Sequence, residues 1–250
     1  MYKVFSFQST ILNQTRTIRM YTPKNYLNTN KRLPVLYMHD GQNIFRDEDA
    51  IGGVSLSFEK AFDDHDCQMI VVGIDSIQTQ RIEDYSPWQR GEYSQQFHID
   101  DSCQPDGQRY IDFVTNELKS FIDKHYRTNP DNTAIAGISL GGLISAYAVC
   151  AYPTIYKSMA VFSSSFYRNQ EKIEDLIRNS DISHVNKIYI DCGSLESDDN
   201  KVNHAFIHSN DEVAKAFQTE LTIINGAKHD YSHFRHRVSK ILINWFSKKG

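Results

Sequence analysis

The stretch Gly137-Ile138-Ser139-Leu140-Gly141 constrains the fold of this chain more than any other part of its sequence. It has the pattern G-x-S-x-G and separates an apolar run, residues 132–136, from an alanine-rich run, residues 140–152. The first run is typical of a buried strand and the second of a helix. A serine on the sharp turn between them needs a strained backbone, which neighbouring glycines permit. The pattern predicts a nucleophilic serine at the strand end, the alternative being an ordinary glycine-rich turn.

The composition is that of one globular domain. Of the 250 residues, 40% are hydrophobic, and the formal net charge is -4. This length is compatible with one α/β domain, so we expect a single domain over residues 1–250. The chain has no clustered basic face, and we therefore expect binding neither to nucleic acid nor to a membrane surface.

The N-terminus and the cysteines indicate a reducing compartment. The first residues lack the apolar core of a signal peptide, and no run approaches the roughly 18 apolar residues of a membrane span. A cytoplasmic protein is the resulting expectation. The cysteines are far apart and have no C-x-x-C spacing, so neither a zinc site nor a redox pair is predicted. They are Cys67, Cys103, Cys150 and Cys192.

Strand-like and helix-like segments alternate along most of the chain. Polar and apolar residues alternate over residues 16–21, as in a half-exposed strand, and residues 5–12 are its expected antiparallel partner. Apolar runs typical of buried strands follow at residues 35–38, 69–74, 132–136, 159–162, 187–190 and 221–224. The alternation predicts an α/β fold: a mainly parallel sheet with an antiparallel N-terminal hairpin and helices on both faces.

Three further helices and one long connection are predicted. The clearest helix covers residues 110–126, where apolar residues form one stripe, and weaker patterns cover residues 201–217 and 232–246. Residues 76–107 are too irregular for an ordinary connection, and long loops of this kind are usually functional. Trp88 in this segment, and Phe166 further along, are candidates to line a substrate pocket.

A nucleophilic serine requires a histidine that takes its proton and a carboxylate that orients the histidine. In a sheet of this type, both should follow later strands. Residues 191–199 after one strand contain Glu196, and residues 225–230 after the last contain His229. The order serine, acid, histidine matches that of the fold. The rival acids are Asp191, Asp198 and Asp199, and the rival bases are His233 and His236.

Four segments together resemble one enzyme family. They are residues 36–45 (LYMHDGQNIF), 137–142 (GISLGG), 193–196 (GSLE) and 226–229 (GAKH). The resemblance is to the esterase D-like group of α/β-hydrolases, the Putative esterase family. Its members include S-formylglutathione hydrolases, feruloyl and acetylxylan esterases, siderophore esterases and mycolyltransferases. The resemblance implies an α/β-hydrolase fold and hydrolase chemistry, and it leaves the substrate open.

The same resemblance assigns the catalytic roles. It puts Ser139 in the position of the nucleophile, His229 in that of the general base and Glu196 in that of the acid. An oxyanion hole should be formed by two backbone amides, one from Leu140. The other is expected from Gly41, after the first strand of the parallel series, with Gln42 as the alternative. Loss of one such donor typically costs about 10²- to 10³-fold in rate.

The expected function is hydrolysis of carboxylic esters through an acyl-enzyme on Ser139, with small or short-acyl esters as substrates. The alternatives are acyl transfer by the same triad and a non-catalytic binding protein. No cofactor and no metal are expected, because the histidine pairs at helical spacing, such as His204 and His208, have no obvious third ligand. A small-molecule ester is the expected partner, and a homodimer is compatible with the sequence.

Overall fold

The computed structural model describes residues 1–97 and 103–246. Its strands are β1 (Tyr2–Ser9), β2 (Gln14–Tyr21), β3 (Leu33–His39), β4 (Ile70–Ile74), β5 (Thr128–Ile138), β6 (Tyr156–Phe162), β7 (Lys187–Leu195) and β8 (Leu221–Lys228). They form one sheet in the order β1-β2-β4-β3-β5-β6-β7-β8. The pairs β1–β2 and β2–β4 are antiparallel, whereas β3–β4, β6–β7 and β7–β8 are parallel. The predicted mainly parallel sheet with an antiparallel N-terminal hairpin is confirmed.

The helices separate the strands of the parallel part. They are α1 (Phe58–Asp64), α2 (Arg81–Asp84), α3 (Gly107–Asp112), α4 (Lys119–His125), α5 (Leu140–Ala151), α6 (Gln170–Asn179), α7 (Asn200–Ala216) and α8 (Tyr231–Phe246). The predicted helices over residues 140–152, 201–217 and 232–246 correspond to α5, α7 and α8. No helix within the described residues is both long and apolar enough to cross a membrane.

The predicted helix over residues 110–126 is made of three parts. A π-helical segment, Phe113–Leu118, joins α3 to α4. The predicted apolar stripe is buried, since Val114, Leu118 and Ile122 are each 0% exposed. A π-helical segment widens the helix by one residue per turn, which a pattern of period 3.6 does not reveal.

The described residues gather into two compact units. The first comprises Met1–Ser76, Asp112–Ala134 and the residues from Asp230 onward, so it holds β1 to β4 and α8. Its core includes the stacked rings of Phe58 and Phe62, whose centroids lie 4.6 Å apart.

The second unit comprises the described residues of Ile77–Ile111 and of Ile135–His229. It holds β6 to β8 and the helices α5 to α7. Most of α5 is buried, because its small side chains let neighbouring elements approach closely. The last residues of β5 also belong to this unit and lead into the predicted nucleophile turn.

The long connection is only partly irregular. It contains α2 and a 3₁₀ segment, Glu92–Phe97, while residues 98–102 lie outside the described chain. Tyr85 is 0% exposed, so part of this connection packs as core. The four cysteines, all within the described residues, form no disulfide bond there.

Candidate active site

Ser139 occupies a sharp turn between β5 and α5. The strand ends at Ile138 and the helix begins at Leu140, so one residue makes the whole change of direction. Its φ of 59° and ψ of -124° lie outside the regions that non-glycine residues ordinarily adopt. Such strain persists only where the surrounding structure enforces it, and it clusters at functional sites.

The glycines of the motif allow this turn to close. A Cβ atom on Gly137 would lie 2.0 Å from the carbonyl oxygen of Gly141, which no side chain could tolerate. The tight approach of strand and helix therefore requires glycine at this position. The turn that the sequence pattern predicts has the geometry of a nucleophile elbow.

The amide of Leu140 begins α5. The first amides of a helix have no carbonyl partner within that helix, and the helix dipole places partial positive charge there. An oxyanion forming beside Ser139 would meet this partial charge. This geometry supports the assignment of Leu140 as an oxyanion donor, which stays a prediction.

Glu196 and His229 are in direct contact. Nδ1 of His229 lies 2.6 Å from Oε2 of Glu196. A carboxylate only accepts hydrogen bonds, so Nδ1 carries a proton, and in the neutral tautomer with this contact Nε2 is the acceptor. The Glu196 side chain is 2% exposed, whereas that of His229 is 31% exposed. The pair thus has a buried acid and an accessible imidazole, as a base-orienting pair requires.

The Glu196 carboxylate is held ionised by its surroundings. Burial acts to raise its pKa, but hydrogen bonds from His229, Ser163 and the Gly193 amide outweigh this effect. The pKa of Glu196 consequently lies below its ordinary value. Oγ of Ser163 donates to Oε1 at 2.5 Å, and the Gly193 amide donates to the same oxygen. An ionised acid can both fix the tautomer of His229 and stabilise its protonated form.

The rival acids have other roles in the structure. Asp191 is fully buried within β7, and its Oδ2 accepts a hydrogen bond from the Tyr189 hydroxyl at 3.1 Å. Asp199 caps α7 by accepting from the Lys201 amide at 2.7 Å. Asp198 is exposed. Glu196 is therefore the candidate that the contacts with His229 favour.

The rival bases lie on α8. Nε2 of His233 is 3.9 Å from Oδ2 of Asp230, its neighbour one turn earlier. His236 lines a groove on the surface of the first unit, together with Lys60. The structure gives neither histidine a buried carboxylate of the kind that orients His229.

The Ser139 hydroxyl is hydrogen-bonded to another serine. Its Oγ lies 3.0 Å from Oγ of Ser165, and the Ser165 amide donates to the Ser139 carbonyl at 3.0 Å. Ser165 follows β6 and belongs to the turn that also carries Ser163. The structure therefore links Ser139 to the Glu196–His229 pair through one short turn. Proton transfer from Ser139 to His229 remains a prediction.

The loop after β3 is tightly built within the first unit. A Cβ atom on Gly41 would lie 2.7 Å from the carbonyl carbon of Gly73 and 2.9 Å from the amide nitrogen of Asp75, so the neighbouring backbone leaves room only for glycine. The Gln42 side chain is engaged with Ser76, donating to its Oγ at 2.7 Å and accepting from its amide at 3.0 Å. The choice between the amides of Gly41 and Gln42 as the second oxyanion donor stays a prediction.

The two aromatic candidates differ in accessibility. Phe166 is 0% exposed and begins a 3₁₀ turn, Phe166–Asn169. Its role in lining a substrate pocket stays a prediction. Trp88 is partly exposed and packs edge-on against Tyr147, with centroids 5.5 Å apart. Its role in substrate binding stays a prediction.

Ser163 and Ser165 are site residues that the sequence analysis missed. Both follow a strand that the apolar pattern predicts, in the run Phe162-Ser163-Ser164-Ser165-Phe166. Three consecutive serines directly after a buried strand of a parallel sheet could have indicated site residues, because ligands bind at that end of such sheets.

Solved structures identify the class of fold. An IroE-like serine hydrolase from Shewanella oneidensis has a TM-score of 0.74 and 16% identity to this chain, covering 98% of this chain and 80% of its own. The siderophore hydrolase EstB from Aspergillus nidulans has a TM-score of 0.76 and 13% identity, covering 99% of this chain and 96% of its own. The chain has the α/β-hydrolase fold, as the sequence predicted.

Sequence comparison identifies the family. The pattern of the family described as Putative esterase matches residues 9–245. The uncharacterized protein YbbA of Bacillus subtilis (strain 168) is 22% identical over 232 residues, which is 88% of this chain and 88% of YbbA. The chain belongs to the Putative esterase family, and its enzyme class is that of the esterases.

Proposed function

We propose that this esterase hydrolyses small or short-acyl carboxylic esters through a Ser139–His229–Glu196 triad. The observation that carries the proposal is the strained elbow at Ser139 together with the 2.6 Å contact between His229 and a buried Glu196. Nucleophile, acid and base follow one another along the chain in the order of the α/β-hydrolase fold. All three lie in the second compact unit.

Acylation begins with attack of Ser139 Oγ on the ester carbonyl carbon. His229 Nε2 takes the hydroxyl proton as the C–O bond forms, and Glu196 stabilises the imidazolium through Nδ1. The carbonyl electrons move onto oxygen, where the Leu140 amide is the first donor of the oxyanion hole. When the tetrahedral intermediate collapses, His229 returns the proton to the leaving alkoxide, and an acyl-enzyme remains on Ser139.

Deacylation repeats these steps with water. His229 removes a proton from the water molecule as its oxygen attacks the acyl carbon. The intermediate then expels Ser139, which regains its proton from His229, and the carboxylic acid leaves. The exposed imidazole of His229 is accessible to solvent for this step, since 31% of its side chain is exposed.

Hydrolysis of p-nitrophenyl acetate, butyrate and octanoate tests the proposal. The native protein should release p-nitrophenol, with the shorter esters preferred, and Ser139→Ala should reduce kcat/KM by at least 10³-fold. Ser158→Ala is a matched control, because Ser158 is a buried serine at the start of β6. Ser139→Ala activity equal to that of this control would disprove the assignment. Ester formation from an added alcohol, in place of free acid, would favour acyl transfer.

A further inference from the structure

The turn Ser163–Ser165 touches both ends of the proposed triad. Oγ of Ser163 donates to Glu196 at 2.5 Å, and Oγ of Ser165 lies 3.0 Å from Oγ of Ser139. We call these three residues the serine turn. Two hydroxyl groups separated by one residue thus contact the acid and the nucleophile.

The serine turn is held rigidly. All three of its residues are buried, with exposures of 0%, 0% and 3%. Nδ2 of Asn210, a fully buried residue of α7, donates to the Ser164 carbonyl at 2.9 Å. A Cβ atom on Gly142 would lie 2.0 Å from Oγ of Ser164, so α5 packs directly against the turn.

The backbone of the turn is strained. Ser163 has a φ of 45°, in the left-handed region that non-glycine residues seldom adopt. The backbone of Ser139 is strained as well, so the surroundings hold two residues of the candidate site in costly conformations. With Ser163 in this conformation, the Ser163 hydroxyl contacts Glu196 and the Ser165 hydroxyl contacts Ser139.

We infer that Ser165 is a positioning residue for the nucleophile, its hydroxyl donating a hydrogen bond to Oγ of Ser139. This inference rests on the proposed function of Ser139. The bond fixes the rotamer of Ser139 and leaves the Ser139 proton free to point at His229. As that proton moves to Nε2 of His229, negative charge builds on Oγ, and a hydrogen bond to a charged acceptor is stronger than one to a neutral acceptor. Ser165 keeps its own proton throughout.

The inference predicts a specific defect in acylation. Ser165→Ala should lower kcat/KM for p-nitrophenyl acetate by about tenfold, which corresponds to about 1.4 kcal/mol. The ratio kcat/KM is the parameter to compare, because it includes the steps up to acylation only, whereas kcat also depends on deacylation. The rate constant of labelling by a fluorophosphonate probe should fall by a similar factor, since the probe reacts with the same hydroxyl and needs no deacylation.

The end point of the same labelling experiment separates positioning from folding. A misfolded fraction lowers the share of molecules that label at completion, whereas poor positioning lowers the rate constant and leaves complete labelling. We expect complete but slow labelling of Ser165→Ala, and native kinetics for the Ser158→Ala control. Should Ser165→Ala fail to fold, Ser165→Cys gives the same test, because a thiol is a weak donor of similar shape.

Two results would overturn the inference. One is labelling of Ser165→Ala at the native rate, and the other is a loss of activity that matches only a smaller labelled fraction. Ser139→Ala distinguishes failure of the inference from failure of the proposed function. If Ser139→Ala is inactive and unlabelled while Ser165→Ala is native-like, Ser139 remains the nucleophile and Ser165 has no positioning role.

Discussion

At the scale of the residue, the site depends on one buried charge. The Glu196 carboxylate accepts from His229, Ser163 and Gly193, which uses its lone pairs almost completely. A buried carboxylate is stable only when it is paired and hydrogen-bonded in this way. In the proposed mechanism, this charge stabilises the imidazolium that forms when His229 takes a proton.

Replacement of this charge by a neutral amide should be costly for catalysis. Glu196→Gln keeps the size of the side chain but can present an N–H group to Nδ1, which favours the wrong tautomer of His229. The equivalent change in a serine protease triad lowers kcat by about 10⁴-fold, and we expect a loss of about 10³- to 10⁴-fold here. Steady-state hydrolysis of p-nitrophenyl acetate measures it.

Asp199→Asn is the matched control for this prediction. It is also an acid-to-amide change in the connection between β7 and α7, and asparagine caps a helix as well as aspartate does. Its kcat should stay within twofold of the native value. A Glu196→Gln variant that retains more than a tenth of native kcat would contradict the role assigned to Glu196.

The sequence predicts the candidate triad residues but not their hydrogen-bond partners. Ser139 follows from its motif. The order after successive strands limits the acid and the base to a few candidates, and the resemblance of residues 193–196 and 226–229 to the family favours Glu196 and His229. The contacts of Ser163 and Ser165 depend on the strained turn, which no periodic pattern encodes. The same limit applies to Phe166, whose burial depends on the 3₁₀ turn that follows the serines.

At the scale of the element, Glu117 of the π-helical segment binds the turn of the N-terminal hairpin. Glu117 accepts from Oγ of Ser9 at 2.5 Å and from the amides of Thr10 and Ile11 at 2.9 and 3.1 Å. These hydrogen bonds hold the turn between β1 and β2. They also keep the pKa of Glu117 below its ordinary value, against the opposing effect of burial, which is the largest single contribution.

Glu117→Ala should therefore destabilise the hairpin. Loss of these hydrogen bonds predicts a decrease of about 1 to 3 kcal/mol in the free energy of unfolding. Hydrogen exchange should accelerate at the amides of Thr10 and Ile11. Glu48→Ala is the control, since Glu48 is exposed and makes only a 3.7 Å surface ion pair with Arg46. Equal unfolding midpoints for the two variants in urea would contradict the anchoring role.

Element prediction succeeds where the hydrophobic period is regular. The strands and α5, α7 and α8 all follow such patterns. The helices α1, α2 and α6 were not predicted from the sequence. They are seven, four and ten residues long, which is shorter than the window over which a helical period can be recognised. The sequence also did not predict that β4 lies between β2 and β3, because strand order depends on contacts between distant parts of the chain.

At the scale of the whole molecule, the single domain predicted from length is still to be tested. The chain passes between the two compact units in the middle of β5, where one strand contributes residues to both. A shared central strand should couple their unfolding, so we expect one cooperative transition. Calorimetry should give a van't Hoff enthalpy equal to the calorimetric enthalpy. Two resolved transitions would contradict a single domain.

The most direct test of the central claim is to locate the covalent adduct. The native protein is treated with a fluorophosphonate probe, digested, and the modified peptide sequenced by mass spectrometry. We predict one modified residue, Ser139, and no labelling after Ser139→Ala. An adduct on Ser163 or Ser165, or persistent labelling of the Ser139→Ala protein, would contradict the account.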